Sequence, residues 1–190
     1  MRLLLHICCS PCLCIPVEEL KKDGIEIEGF FYNPNIHPLL EFRRRLKSVK
    51  VYQESSPMRV HYCEDYGLNE FLNTIEHHDA PQRCGDCYHM RLVATARYAR
   101  QNGFDAFSTA LLFSARQKHE LLKKTGEEVS RKEGLPFYYT DYRHLYAESR
   151  ETARKKCLYL QSYCGCIFSE SERYGPTNKY LYKGELNVSA

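Results

Sequence analysis

The chain alternates between two patterns of hydrophobic and polar positions, and this alternation predicts a parallel α/β fold. Five short apolar runs have strand character. They cover Leu3–Cys8, Glu26–Tyr32, Met58–Tyr62, Phe107–Leu112 and Pro136–Tyr142. Between and after them, apolar residues recur at the spacing of three or four residues that is typical of helices. We therefore expect a three-layer sandwich, in which helices cover both faces of a parallel sheet of about five strands.

The predicted helices also indicate the extent of the domain. They cover residues 13–22, 39–54, 69–76, 83–101, 117–132 and 146–163, and Gly24, Gly103 and Gly134 follow three of them as typical C-terminal caps. A chain of 190 residues is long enough for one domain with a complete core and short for two. We predict a single α/β domain over residues 1–170 and interpret the polar stretch 171–190 as a C-terminal tail.

Composition and charge narrow the class of protein. Hydrophobic residues make up 43% and charged residues 27% of the chain, and no apolar run reaches the ~20 residues of a membrane helix. The apolar stretch after Met1 is too short for a signal peptide, so we expect a cytoplasmic protein without membrane association. The net charge of +3 and basic runs such as Arg43–Arg45 permit nucleic-acid binding, although one such run is more often a solvated helix face.

Cysteine is the unusual part of the composition, with ten residues. Six of them form three tight pairs, which are Cys8 and Cys9, Cys84 and Cys87, and Cys164 and Cys166. Such local spacings cross-link a fold poorly, and closely spaced cysteines in a cytosolic chain more often bind metal or carry out redox chemistry. The three pairs therefore predict a metal centre with these six thiols as ligands.

The position of each pair supports this interpretation. Cys84 and Cys87 lie about one turn apart on one face at the start of a helix, where the helix dipole is expected to lower their pKa values. Gly165 allows the tight backbone that would aim the sulfurs of the third pair at one ion. The first pair could not point the same way from a regular strand, but it lies where the first strand ends.

The number of thiols indicates the kind of metal group. Six exceed the four that a closed zinc site accepts, and they suit a four-thiolate [4Fe-4S] cluster with sulfurs to spare for a second metal or a redox pair. A redox disulfide without metal is the main rival. Cys14, Cys63 and Cys157 are interpreted as small hydrophobic side chains, and Cys12 stays open as ligand or core residue.

Polar residues also lie where the other predicted strands end. In an open parallel sheet, ligands bind beyond the carboxyl ends of the strands. The first strand leads into the first cysteine pair, and the others lead into residues 33–38, 114–118 and 141–143. These strand ends predict a site of thiols and polar side chains along one edge of the sheet.

Several of these segments resemble the motifs of a known family. They are Leu5–Cys12, Asn33–Pro38 with Glu41 and Arg45, Arg83–Tyr88 with Arg91 and Leu92, Thr109–Leu112, Asp141–Arg143 and Gln161–Ser169. In this order they resemble the cobalamin-independent epoxyqueuosine reductases, the QueH family, from residue 3 to near residue 170.

The resemblance implies a fold, an activity and cofactors. The implied fold is that of the nucleotide alpha-hydrolase-like (HUP) group, with a cysteine-rich loop at residues 8–12 in place of a glycine-rich phosphate loop. The implied activity is the two-electron removal of the epoxide oxygen of epoxyqueuosine in the tRNA anticodon, which gives queuosine. The implied cofactors are a [4Fe-4S] cluster and one mononuclear iron, without cobalamin, and the implied partners are tRNA and an external electron donor.

This chemistry needs a proton donor and a means of holding an unstacked base. We predict Asp141 and Tyr163 as catalytic residues, although a structural ion pair with Arg143 explains Asp141 equally well, and the tyrosines could instead pack in the core. The predicted substrate contacts are Asn33, Asn35, His37, Tyr88, Arg91 and Arg143.

Two other functions stay open. A cluster-dependent tRNA thiolase on the same fold would need a glycine-rich phosphate loop after the first strand, and the sequence has no such loop there. A non-catalytic iron–sulfur or metal carrier would not need the polar strand ends at residues 33–38 and 141–143. The sequence therefore favours the reductase.

Overall fold

A parallel sheet of four strands forms the centre of the molecule. The structure is a computed structural model that describes residues 1–176. The strands are β1 (Arg2–His6), β2 (Glu26–Phe31), β3 (Val60–Tyr62) and β4 (Ala106–Thr109). Their order in the sheet is β3-β2-β1-β4, and all three pairings are parallel. Doubly wound nucleotide-binding folds have this order, in agreement with the fold that the resemblance implied.

Helices cover both faces of the sheet. They are α1 (Pro16–Lys22), α2 (Leu39–Glu54), α3 (Leu68–Thr74), α4 (Gln82–Gln101), α5 (His119–Glu133), α6 (Tyr146–Lys155) and α7 (Ile167–Tyr174). On β2, the ring of Phe30 stacks on Tyr98 of α4 at a centroid distance of 4.7 Å, whereas the next ring, Phe31, meets Phe42 of α2 at 5.8 Å. Successive side chains of a strand point to opposite faces, so α2 and α4 lie on opposite sides of the sheet. The predicted α/β sandwich is confirmed.

The fifth predicted strand is reduced to a single bridge. Phe107 of β4 pairs with Phe137. The Phe107 N–H donates to the Pro136 carbonyl over 3.0 Å, and the Tyr138 N–H donates to the Phe107 carbonyl over 2.8 Å. Proline has no N–H to extend this ladder, and β4 itself gives way to a 3₁₀ helix at Ala110–Phe113. The described part of the sheet therefore has four strands where about five were expected.

The last long helix of the prediction ends early. The pattern predicted a helix through residue 163, but α6 ends at Lys155. Cys157 has φ +51°, which a continuing helix does not allow, and the Leu158 N–H bonds back to the carbonyl of Ala153 over 2.9 Å. The chain then runs without regular secondary structure to α7. Residues 171–174 belong to α7, and the part of the predicted tail at 177–190 lies outside the described residues.

The loop after β2 is held by a close backbone contact. Gly67, immediately before α3, packs against Pro34, and a Cβ atom at residue 67 would lie 2.4 Å from Pro34 Cβ and 2.8 Å from its Cα. This contact fixes the polar loop at residues 33–38. Over residues 1–176, no helix combines the length and apolar character needed to cross a membrane.

Gly67→Ala is expected to destabilise the protein by about 1–3 kcal/mol, because the added methyl group forces the Pro34 backbone to move. Gly85→Ala is the matched control. Gly85 lies within α4, where the nearest neighbour of a new Cβ is the side chain of Leu121 at 3.8 Å, and the added methyl group is expected to stabilise the helix by about 0.5–1 kcal/mol. Urea unfolding measures both changes, and a Gly67→Ala variant as stable as the native chain would contradict the close contact.

Candidate metal centre and substrate cavity

The loop after β1 brings three thiols together. The sulfur of Cys9 lies 3.6 Å from that of Cys8 and 3.4 Å from that of Cys12, and the side-chain amide of Gln161 donates to it over 3.1 Å. Hydrogen bonds from Cys12 and Cys9 hold the pKa of Cys8 well below its ordinary value. Contacts with Cys12 and Cys8 raise the pKa of Cys9, and the contact with Cys8 raises that of Cys12. We call these three residues the first thiol group. It includes Cys12, whose role the sequence left open.

The second thiol group consists of Cys84 and Cys87 at the start of α4 and Cys164 and Cys166 just before α7. Burial raises the pKa of Cys87 to about 12, and the nearby thiols of Cys164, Cys166 and Cys84 act in the same direction. Burial also raises the pKa of Cys84. The expectation that the helix dipole lowers these pKa values is wrong, because burial and the neighbouring thiols outweigh the helix end.

A buried guanidinium fixes the segment that carries the last two thiols. Arg45 of α2 is 1% exposed and donates from Nε to Glu41 over 2.8 Å. Its two terminal nitrogens donate over 2.9 Å to the backbone carbonyls of Tyr163 and Cys164. The other carboxylate oxygen of Glu41 accepts a hydrogen bond from the hydroxyl of Tyr159. The irregular segment is thus held against α2 by one buried ion pair and its hydrogen bonds.

Gly165 lets this segment pass close to the guanidinium. Its φ is +129°, and a Cβ atom there would lie 3.1 Å from Nη1 of Arg45. The Gly165 carbonyl accepts the N–H of His37 over 2.8 Å, and the hydroxyl of Tyr163 donates to the carbonyl of His37. The backbone freedom predicted for this glycine is confirmed, and the loop after β2 lies directly against the Cys164–Cys166 segment.

A cavity of about 540 Å³ brings the two thiol groups to one surface. Cys8 and Cys12 of the first group and Cys164 of the second line it. Gln117 and Gln161 also line the cavity, and Nε2 of Gln117 lies 3.8 Å from the sulfur of Cys164. Its volume lies within the roughly 300–1,000 Å³ that is typical of small-molecule sites.

The lining of this cavity is positively charged. Arg116, Arg150 and Arg173 line it, and none of them forms an ion pair with a residue in the described part of the chain. Glu172 also lines the cavity, but its carboxylate is paired with Arg83 over 2.7 Å. The charge of the three arginines is thus available to an anionic ligand.

Arg91 of α4 is a second buried guanidinium near the thiols. It is 1% exposed, and its Nη2 has no hydrogen-bond partner among residues 1–176. In the same range, no three histidine, cysteine, aspartate or glutamate side chains have the arrangement of a metal site. Seven thiols in two groups and a buried cation without an anionic partner nevertheless supply the sulfur ligands and the counter-charge of an iron–sulfur group. The residues fit such a group in their chemistry.

Three predicted substrate contacts are buried in the loop after β2. Asn33 donates from Nδ2 to the carbonyl of Ile7 over 2.9 Å, which ties the loop to the end of β1. Asn35 and His37 are at most 1% exposed, and burial lowers the pKa of His37 to about 4, so its ring is neutral. In this arrangement the loop supports the site from below its surface, and direct substrate contact by these side chains stays a prediction.

Tyr88 positions a cavity residue. It is buried, and its hydroxyl donates to Oε1 of Gln117 over 2.8 Å. The hydroxyl oxygen of Tyr88 in turn accepts the N–H of Lys118 over 3.1 Å. These bonds hold the loop before α5, and with it the amide of Gln117, beside the cavity. The structure thus gives Tyr88 a supporting contact, and its predicted contact with substrate stays a prediction.

The two predicted catalytic residues lie in different places. Tyr163 lines the cavity, and burial raises the pKa of its hydroxyl, so the hydroxyl keeps its proton. Asp141 is outside the cavity lining and forms a two-pronged ion pair with Arg143, with nitrogen–oxygen distances of 2.6–3.1 Å. The guanidinium holds the pKa of Asp141 well below its usual range. The catalytic roles of both residues, and a substrate contact by Arg143, stay predictions.

Sequence reasoning did not assign roles to Arg45, Gln117 and Gln161. The spacing of Glu41 and Arg45, four residues apart on a helix, is typical of an ion pair and could have indicated the first of them. The two glutamines carry no such signal, because their positions depend on loops that meet only in the folded chain.

Sequence similarity to known proteins shows the family of the chain. A family model described as Epoxyqueuosine reductase QueH matches residues 3–172. The chain belongs to the QueH family. It is 34% identical over 177 residues to an epoxyqueuosine reductase QueH of Dehalococcoides mccartyi, with 93% of this chain and 97% of the relative covered.

Other QueH proteins are similarly related. That of Thermotoga maritima is 32% identical over 179 residues, covering 90% of this chain and 91% of the relative. A crystal structure described as a "predicted subunit of tRNA methyltransferase" from Methanocaldococcus jannaschii superposes with a TM-score of 0.49 at 13% identity, covering 86% of this chain and 94% of that one. QueH proteins are named as reductases, so the predicted family and the prediction of an oxidoreductase enzyme are both confirmed.

Arg45→Met is expected to cost about 3–5 kcal/mol, because it leaves the carboxylate of Glu41 buried without its cation and frees two carbonyls of the thiol-bearing segment. Arg43→Met is the control, because Arg43 lies on the same helix and is exposed. This substitution should change the free energy of unfolding by no more than about 0.5 kcal/mol. Urea unfolding gives the free energies, and limited proteolysis at residues 156–166 reports the release of the segment. Equal behaviour of the two variants would mean that Arg45 does not hold it.

Proposed function

We propose that this chain reductively removes the epoxide oxygen of epoxyqueuosine in the tRNA anticodon, which is the last step of queuosine biosynthesis. Membership of the QueH family supports the reaction. The observation that carries the proposal is one cavity on which both thiol groups border, lined by three arginines that have no carboxylate partner among residues 1–176. A redox group and a polyanionic substrate can meet there.

The thiols are proposed to hold the cofactors. Cys8, Cys9, Cys84, Cys87, Cys164 and Cys166 would supply sulfur to a [4Fe-4S] cluster and to one additional iron, and Cys12 lies close enough to the first pair to join them. When bound, these groups supply single electrons from an external donor and a Lewis-acidic iron, without cobalamin. Overall, two electrons and two protons convert the epoxide to a carbon–carbon double bond and water.

The chain's own side chains would bind and orient the substrate. An anticodon base must leave its stack to enter an enclosed site, and amide groups and aromatic rings then recognise it. Gln117 and Gln161 offer such amides on the cavity wall, and Tyr163 offers a ring and a hydroxyl that holds its proton. Of the two predicted proton donors, the cavity therefore favours Tyr163, since Asp141 is ionised and paired outside it.

The alternative functions account for fewer of these features. A metal carrier has no need of a cavity of this volume with amides and several arginines on its wall. A tRNA thiolase that uses ATP needs a phosphate-binding loop after β1, and that position is filled by the first thiol group. The reductase uses both the thiols and the cavity.

Protein purified without oxygen is expected to contain about four irons for a cluster alone, or about five if the separate iron is present. Cys87→Ser should lose the cluster absorbance and most of the iron, because it removes a buried thiol of the second group. Cys157→Ser is the matched control, since Cys157 is exposed and lies outside both groups. Iron and sulfide counts with Mössbauer spectra measure this. Reductase activity in iron-free protein would refute the proposed cofactors.

Binding to anticodon stem-loop RNA is expected to weaken as salt rises. Replacing Arg116, Arg150 and Arg173 together by glutamine should lower the slope of log K against log salt by about 2, since each phosphate contact contributes about 0.7 on single-stranded RNA. The control replaces three exposed basic residues of α5, Lys124, Arg131 and Lys132, and should leave the slope unchanged. Binding without salt dependence would count against an RNA substrate.

A further inference from the structure

Arg91 is a buried cation without a carboxylate partner. Its Nε donates over 3.2 Å to the carbonyl of Cys87, one turn earlier in α4, and its Cζ lies 5.8 Å from the ring centroid of Tyr88. Its Nη2 has no hydrogen-bond partner in the described range, and no ion pair involves it there. A buried charge that is left partly unsatisfied is costly, so a group of this kind requires an explanation.

The neighbours of Arg91 are thiols of both groups. Burial alone would lower the pKa of Arg91, yet this pKa is raised by the negative charge that nearby groups can carry. Those groups are, in order of effect, the thiols of Cys87, Cys164 and Cys8, and then Tyr88. Arg91 therefore lies within electrostatic range of a thiol of the first group and of two thiols of the second, and it contacts the backbone of one of them, Cys87, directly.

Arg45, the other buried guanidinium near the thiols, differs from Arg91 in its hydrogen-bond partners. Both guanidinium groups are 1% exposed and both come from helices that flank the sheet. Arg45 has a carboxylate and two carbonyls as partners within the chain. Arg91 keeps a free nitrogen beside the thiols, and it does not line the cavity, so an anion held by those thiols is the partner that its position fits.

We propose that Arg91 is a positioning residue that supplies the counter-charge shared by the two thiol groups and by the anionic iron–sulfur group they hold. This inference rests on the proposed function. A fixed cation beside a cluster stabilises the reduced form, which carries one more negative charge, and so raises the reduction potential. The same cation favours the thiolates that bind iron, so its removal should weaken retention of the metal.

The test compares Arg91→Met, Arg91→Lys and Arg97→Met in full-length protein reconstituted with ferrous iron and sulfide without oxygen. Methionine fills the buried site without charge, and a swap of this type is often neutral or stabilising for the fold. Lysine restores the charge without the guanidinium fork. Arg97 is the control on the same helix, because it is largely exposed and paired with Glu133 over 2.9 Å.

We expect Arg91→Met to fold as apoprotein, to lose iron to a chelator at least about 10-fold more readily than the native chain, and to show a more negative midpoint potential in the iron that it retains. Arg91→Lys should recover most of the potential, and Arg97→Met should match the native chain in both measurements. If Arg91 had only a structural role, the midpoint potential would not depend on whether residue 91 carries a positive charge.

Three results would overturn the inference. One is an Arg91→Met protein that retains iron and potential like Arg97→Met. Another is an Arg91→Met apoprotein that cannot fold, which would make Arg91 part of the fold itself. The third is an Arg91→Lys protein with the potential of Arg91→Met. A native chain that takes up no iron and sulfide would instead refute the proposed function, so the two failures are distinguishable.

Discussion

The buried guanidinium of Arg45 is the interaction on which the rest of the site depends. A charge inside a protein is tolerated when every donor finds a partner, and Arg45 meets this condition with the carboxylate of Glu41 and two backbone carbonyls. Because those carbonyls belong to Tyr163 and Cys164, satisfying the charge also docks an irregular segment on α2. The close passage of Gly165 and its bond to His37 depend on the same docking.

The fold could be predicted from the sequence wherever local pattern and final environment agree. Apolar residues form the centre of β1 and the end of β2, and α2 and α4 have the helical period, so each element lies where the pattern indicated. The pattern failed where a single backbone feature overrides it. Pro136 removes an N–H from the fifth strand, and the left-handed backbone of Cys157 ends α6 early. Neither effect appears in hydrophobic periodicity.

The site was predictable in its thiols and less so in its support. Cysteine spacing and strand ends pointed to loops that the structure brings to one cavity, because parallel strands bring their carboxyl ends to one edge. Which thiols are neighbours could not be read from spacing, since Cys12 joins Cys8 and Cys9 through a turn of the loop. Asn33, Asn35 and His37 are predicted as substrate contacts, and the sequence did not indicate that all three are buried or that Asn33 bonds to the Ile7 carbonyl. Burial of a polar side chain is a tertiary property, and one sequence does not contain it.

The positions of the two thiol groups along the chain also determine the order in which they can form during synthesis. The four strands are complete once residue 109 has been synthesised, and the first thiol group lies near the beginning of the chain. The second group is unfinished until residue 166 has left the ribosome and docked against α2. A nascent chain therefore has all four strands before it has all seven thiols. The sheet that supports both thiol groups can form before the second group is complete, so the last thiols to be synthesised dock on a core that is already built.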